Sequence, residues 1–215
     1  MKKAIIVLLS VLLVITLASC NQDKSAEVAE TFEEFTDAYV ICNSLKQALN
    51  GNIKYDATTE TEADLESIHG TALRNYLEEL YNDDKCDEID VKTSSVTGKV
   101  KGTDDNCSFS NVKIEATYTK TLNGVENKDV LTEQTEMSGS YFHEETPSET
   151  AEGETMDYAY RFNFTVDGKQ YNLSYSSRYV KGLDGEESYY YTSASINGKD
   201  VNLKLLEAPF VTHHD

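Results

Sequence analysis

Two short stretches could do chemistry by composition alone: Asp83-Asp84-Lys85-Cys86 and Asp104-Asp105-Asn106-Cys107. Each sets two carboxylates just before a thiol. Such groups can hold a metal, cycle between thiol and disulfide, or simply be joined as a staple. Other candidates are weaker. His143-Glu144-Glu145 lacks the second histidine of a zinc-protease helix. His213 and His214 sit in 211–215, where a frayed tail is expected. No Gly-x-Ser-x-Gly, phosphate-cradling loop or Cys-x-x-Cys occurs. With 38 Asp and Glu in the chain, naming any two as acid and base is arbitrary. The sequence thus predicts no catalytic residue, metal site or cofactor, and it disfavours an enzyme.

Which role the two stretches play depends on how many of the four cysteines are available. Lys2 and Lys3 open the chain, and Ala4 to Leu17 is apolar apart from Ser10 and Thr16. That is the layout of a secretory signal, and the run is shorter than the ~20 residues of a membrane span. Leu17-Ala18-Ser19-Cys20 resembles the lipobox of bacterial lipoproteins. The resemblance is confined to residues 1–20. It implies that 1–19 are cut away as a signal peptide and that Cys20 carries a diacylglycerol thioether, with its amine open to acylation by a chain such as palmitate. Residues 20–26 would then tether the body to the lipid bilayer of the cell membrane or outer membrane, outside the cytoplasm. Two or more acyl chains anchor stably, whereas one binds marginally.

Lipidation of Cys20 leaves Cys42, Cys86 and Cys107, so at most one internal pair. Cys42 falls in a helical stripe with Phe32, Phe35, Tyr39 and Leu49, where a thiol packs as a small hydrophobe. Cys86 and Cys107 are therefore the expected disulfide. Their pairing needs a turn at Thr97-Gly98, where Val96-Thr97-Gly98-Lys99 interrupts the strand pattern. If 87–101 is instead one strand turning at 102–106, the cysteines lie at opposite ends, ~40 Å apart. A disulfide tolerates only ~6 Å. The staple would gather Asp83, Asp84, Asp104 and Asp105, whose repulsion a calcium ion could relieve, but no known calcium-loop spacing is present.

The elements that must position these residues follow from periodicity. Thr31 and Glu34 fit a capping box opening a first helix, with Ser25 as an earlier start, and Asn50-Gly51 ends it. A second helix is expected from Glu60 to Tyr81, carrying Leu65, Ile68, Ala72, Tyr76 and Leu80 on one side. Gly70 weakens its middle, and His69 is expected at the surface or its boundary. From Asp87 the period becomes two. Ile89–Val100, Phe109–Leu122 and Val130–Phe142 read as strands, and 143–155 as a mobile acidic loop. Met156 to Val166 alternates cleanly. Asp167-Gly168, Asp184-Gly185 and Asn197-Gly198 mark tight turns. These turns place Phe164 opposite Tyr171, Tyr160 opposite Tyr175, Met156 opposite Tyr179 and Tyr179 beside Tyr190. The last one pairs Ala194 with Val201, Thr192 with Leu203 and Tyr190 with Leu205.

The expected fold is therefore α+β: two N-terminal helices packed on one face of an antiparallel, meander-like β-sheet, in one domain over 27–210. A barrel or half-barrel is the alternative. The formal charge is −19, and removal of 1–19 takes away Lys2 and Lys3 and no acid, which leaves −21. Such a body is repelled by phosphate backbones, so nucleic acid is excluded as a partner. On the wet face, Arg178, Tyr189 and Tyr191 form a candidate binding face for an envelope protein or glycan. The buried face carries Tyr158, Tyr160, Phe162, Phe164, Tyr171, Tyr175 and Tyr190. It could instead line a pocket for a small apolar ligand or lipid if the helices leave it open. The function expected is a non-catalytic binding or interaction role at the cell envelope, with a carrier as the alternative.

Overall fold

The protein is described by a computed structural model over residues 2–49, 61–80, 86–126, 129–150 and 153–206. The elements in chain order are α1 (Lys2–Leu49), β1 (Thr61–Asp64), α2 (Gly70–Leu80), β2 (Cys86–Gly102), β3 (Asn106–Leu122), β4 (Val125–Glu126), β5 (Leu131–Thr150), β6 (Gly153–Val166), β7 (Lys169–Gly182), β8 (Glu187–Ile196), β9 (Lys199–Asp200) and α3 (Leu203–Leu206). The strands form one open antiparallel sheet in the order β1-β2-β3-β5-β6-β7-β8-β9, with β4 paired to β3. The sheet is an α+β meander and does not close into the alternative barrel. Helices α1 and α2 pack together, α1 on β7 and β8 and α2 on β2.

Turn chemistry sets the meander. Asn123-Gly124, Asp167-Gly168 and Asn197-Gly198 all have positive φ at both residues. That is the type I′ geometry whose twist matches the strands it joins. The Asp167-Gly168 turn pairs Val166 with Lys169, and the register then runs unbroken through Phe164–Tyr171 and Tyr160–Tyr175 to Met156–Tyr179. Apolar alternation and turn type select the same pairing, as the sequence predicts.

Helix boundaries differ from expectation. Helix α1 continues through 20–26, the residues assigned to the tether, and Thr31 lies inside it. The Thr31 hydroxyl donates to the Glu27 carbonyl at 2.8 Å. A hydroxyl bonded back to i−4 belongs to a helix interior, so Thr31 is no cap. The second helix begins at Gly70 rather than Glu60, because 61–64 join the sheet as β1. Gly70 thus stands at the first turn, where it carries no interior cost. His69 caps α2: Ala72 N donates to its Nδ1 at 3.3 Å and Leu73 N to its carbonyl at 3.0 Å. Its own amide donates to the Ala48 carbonyl at 2.9 Å, which ties the two helices together. The expected end at Asn50-Gly51 lies outside the described residues.

Three strand assignments are also corrected. The interruption at Thr97-Gly98 is a bulge, not a turn. Register slips between Thr97 and Lys99, Gly98 has φ +144°, and a Cβ on it would stand 2.8 Å from Val112 Cα. A bulge and a turn both break the period of two and both favour glycine, so the pattern alone does not separate them. The mobile loop expected at 143–155 is ordered through Thr150 as the outer part of β5, paired with β6 from His143–Tyr160 to Thr150–Gly153. Among the described pairings β3 ends opposite Phe142. Pro147 therefore sits on an open edge, where its missing N–H is tolerated. Finally, Val201 N donates to the Ala194 carbonyl at 2.9 Å as predicted, but Leu203 and Leu205 do not extend the strand. The Asn202 side chain accepts from Lys204 N at 3.2 Å and caps α3 instead.

The core lies between helices and sheet. Phe35, Cys42, Leu45 and Leu49 of α1 and Leu73, Tyr76 and Leu77 of α2 are buried against Phe109, Tyr118, Phe162, Phe164, Leu173 and Ile196. Cys42 is fully buried, as its place in the stripe predicts. The Tyr76 hydroxyl bonds the Thr135 hydroxyl at 2.8 Å, a polar partner for a ring inside the core. Gly139 faces both Phe109 and Phe164, whose rings meet edge to face at 6.0 Å. Its φ is +148° and a Cβ would come 2.1 Å from the Asn163 carbonyl oxygen, so that approach requires glycine.

Candidate functional site

The predicted register of β7 and β8 holds from Leu173–Ile196 to Ser176–Ser193 and then shifts at Ser177, which pairs with Tyr191. One inserted residue turns every later side chain to the opposite face. Tyr189 and Tyr191 therefore leave the wet face and join the aromatic one, while Tyr190 moves to the wet face opposite Arg178. The expected grouping of Arg178 with Tyr189 and Tyr191 does not form. Arg178 instead holds Asp157 through both guanidinium arms, Nε to Oδ1 at 2.5 Å and Nη2 to Oδ2 at 2.8 Å. That pairing keeps the Asp157 carboxyl below its ordinary range. On the same wet face Arg161 lies over the Phe142 ring at 4.3 Å.

The aromatic face runs through several rows of β5 to β8, and α1 packs on one of them. Phe35 and Tyr39 of α1 meet Tyr175 edge to face, at 6.4 and 5.8 Å. In that row His143, Tyr160 and Tyr175 stack across three strands, with centroids 4.4 and 4.5 Å apart. The His143 Nδ1 donates to Asp105 Oδ1 at 3.1 Å, and Glu145 Oε1 lies 3.7 Å from its Nε2. Further out, β5 to β8 continue past that row. Register puts Glu145, Tyr158, Ser177 and Tyr191 in the next row, then Pro147, Met156, Tyr179 and Tyr189. Tyr189 is 51% exposed, and its hydroxyl donates to the buried Ser177 hydroxyl at 2.6 Å. Tyr189 meets Tyr191 edge to face at 5.8 Å.

A cleft of about 350 Å³ opens on this outer region. Met156, Tyr158, Tyr179 and Pro147 supply its apolar lining, with Glu149, Glu154, Ser148 and Thr155 completing it. A few rings with charged groups around them suit recognition of a side chain or small group. Burial and then Glu145 push the Tyr158 phenol up, and a hydrogen bond to Glu187 does the same for Tyr179. Both phenols are therefore neutral donors near neutral pH.

Sequence reasoning found Met156, Tyr158 and Tyr179 as face residues but missed the partners on β5. The available signal was the continuing count from Phe142: His143, Glu145, Pro147 and Glu149 fall opposite Tyr160, Tyr158, Met156 and Glu154.

The cysteine pair is corrected by the same ladder. Strand β2 is one piece, Cys86 opposite Leu122 and Cys107 opposite Gly102. The two positions stand at opposite ends of a 17-residue strand, on the order of 50 Å apart. Cys107 is a buried free thiol, pushed up to about 11 chiefly by burial. The Asp104-Asp105 half of the motif is used otherwise: Asp104 pairs with Lys46 at 3.0 Å, and Asp105 holds His143. Asp83 and Asp84 lie outside the described residues. Among the described residues no three His, Cys, Asp or Glu groups converge as a metal site would require. Cys20 falls within α1. Comparison with protein families, with characterised proteins and with solved structures finds no match for this chain.

Proposed function

We propose that the chain is a lipid-anchored protein of the bacterial cell envelope whose body binds a partner, without catalysis, through the outer aromatic face of its sheet. The anchor rests on Leu17-Ala18-Ser19-Cys20 after the apolar run. The binding role rests on one observation. The aromatic face runs on past the Phe35 and Tyr39 contacts, with Met156, Tyr158 and Tyr179 lining a cleft of about 350 Å³ and Tyr189 paired beside Tyr179. Clustered rings open to water mark recognition surfaces, because covering them with a partner recovers hydrophobic free energy. The partner is an envelope protein or glycan.

A carrier has no room under helix α1. Where Phe35, Tyr39, Tyr175, Tyr191 and Leu206 meet, the gap is about 10 Å³. That is about the room one water needs and far less than an acyl chain.

A Cys20→Ala chain is expected to lose its lipid and persist as uncut precursor. Metabolic labelling with a palmitate analogue, with mass analysis of the N-terminus, reads both. Normal processing and equal membrane retention in that variant would refute the anchor.

A further inference from the structure

The charges around the outer cleft are unbalanced. On the aromatic face, register places Glu145, Glu149, Glu154 and Glu187 around Met156, Tyr158, Tyr179 and Tyr189. Lys181, between Glu154 and Glu187, offsets one of them. Glu149 and Glu154 line the cleft itself. The carboxylates also act on the rings, since Glu145 raises Tyr158 while Glu187 and Glu154 raise Tyr179. The cleft is thus negative in potential, apolar along its floor and faced by electron-rich rings.

We propose that this cleft takes a lysine or arginine side chain presented by an extended basic segment of an envelope protein. The inference deepens the binding role proposed above and rests on it. A methylene stem would lie along Met156, Tyr158 and Tyr179, as such stems do on apolar surfaces. The charged end would meet the phenol faces and the Glu149 and Glu154 carboxylates, combining cation–π attraction with charge-assisted hydrogen bonds. Anionic polymers and anionic lipid headgroups are repelled by the same carboxylates and by the charge of the whole body. A neutral sugar would stack on the rings but leave the carboxylate excess unused.

The test is a titration of the full chain, in a neutral detergent, with an acetyl-capped tetralysine peptide and separately with a neutral N-acetylglucosamine tetramer. Binding is followed by the NMR ring signals of Tyr158 and Tyr179. Tetralysine is expected to shift both. A Glu149→Gln/Glu154→Gln chain should bind it about tenfold more weakly, the loss of one or two charge-assisted contacts. A Glu66→Gln/Glu78→Gln chain removes the same two charges from exposed positions before and within α2, and should change affinity less than about twofold. Equal weakening in both variants would mean bulk charge attraction and would overturn the site. Ring shifts with the sugar but not with tetralysine would overturn the cationic ligand while leaving the binding face standing. Ring signals unmoved by both probes would overturn the proposal too. Tyrosine footprinting in the envelope tests the binding face without any cationic probe, so the two claims can fail separately.

Discussion

Burial decides what individual residues here can do. Cys42 reads as a packing residue in the sequence and Cys107 as half of a disulfide; burial pushes their thiols up to about 12 and about 11 from an ordinary 9.0. A thiol held protonated is a packing group and a poor nucleophile. The same shifts make the fold sensitive to alkali. Both pKa values are higher in the folded than in the unfolded chain, so the unfolded chain loses its protons first as pH rises. The stability these thiols contribute is full below about pH 8.5 and is lost as pH climbs towards 11 and 12. The phenol of Tyr39, raised mainly by burial, adds to the trend from its ordinary 10.0 upward. Urea unfolding at a series of pH values is expected to show a constant midpoint from pH 7 to about 8.5 and a falling one beyond pH 9. A midpoint unchanged to pH 11 would mean that these groups are not held protonated by the fold.

At the scale of elements, single inserted residues matter more than propensities. The bulge at Gly98 lets β2 run on as one strand, and that alone separates Cys86 from Cys107. Mass mapping of oxidised, unreduced protein should find Cys107 unlinked to Cys86; a peptide joining the two would contradict the ladder. The shift at Ser177 similarly moves Tyr189 and Tyr191 from one face to the other. These features explain which parts of the fold are legible in sequence. The β6–β7 hairpin reads correctly along its whole length because Asp167-Gly168 and the alternation Tyr160, Phe162, Phe164 agree. The outer half of β5 does not read as strand, since His143 to Thr150 alternates among polar residues and contains Pro147. Its strand character comes from pairing with β6 and from an open edge that excuses the proline. The start of α1 misreads for a related reason: Thr31 and Glu34 have capping spacing inside a helix that has already begun. The candidate site was accordingly half visible, its β6 and β7 rings in plain alternation and its β5 wall hidden in an acidic run.

At the scale of the molecule, the helices and the inner part of the sheet form an α+β core. On the proposed reading, the outer part of β5 to β8 presents its rings and carboxylates to a partner. An N-terminal lipid on Cys20 would hold this body at the envelope, while its net acidity keeps it off anionic surfaces. Tyr189 and Tyr190 give the most direct test, because they are sequence neighbours on opposite faces with similar exposure, 51% and 41%. Tyrosine nitration, read by peptide mass analysis, can compare intact envelopes with the purified chain. Tyr189 is expected to be nitrated in the purified chain and protected in the envelope, while Tyr190 reacts alike in both. Tyr189 equally reactive in both preparations, or protection confined to Tyr190, would contradict the proposed binding face.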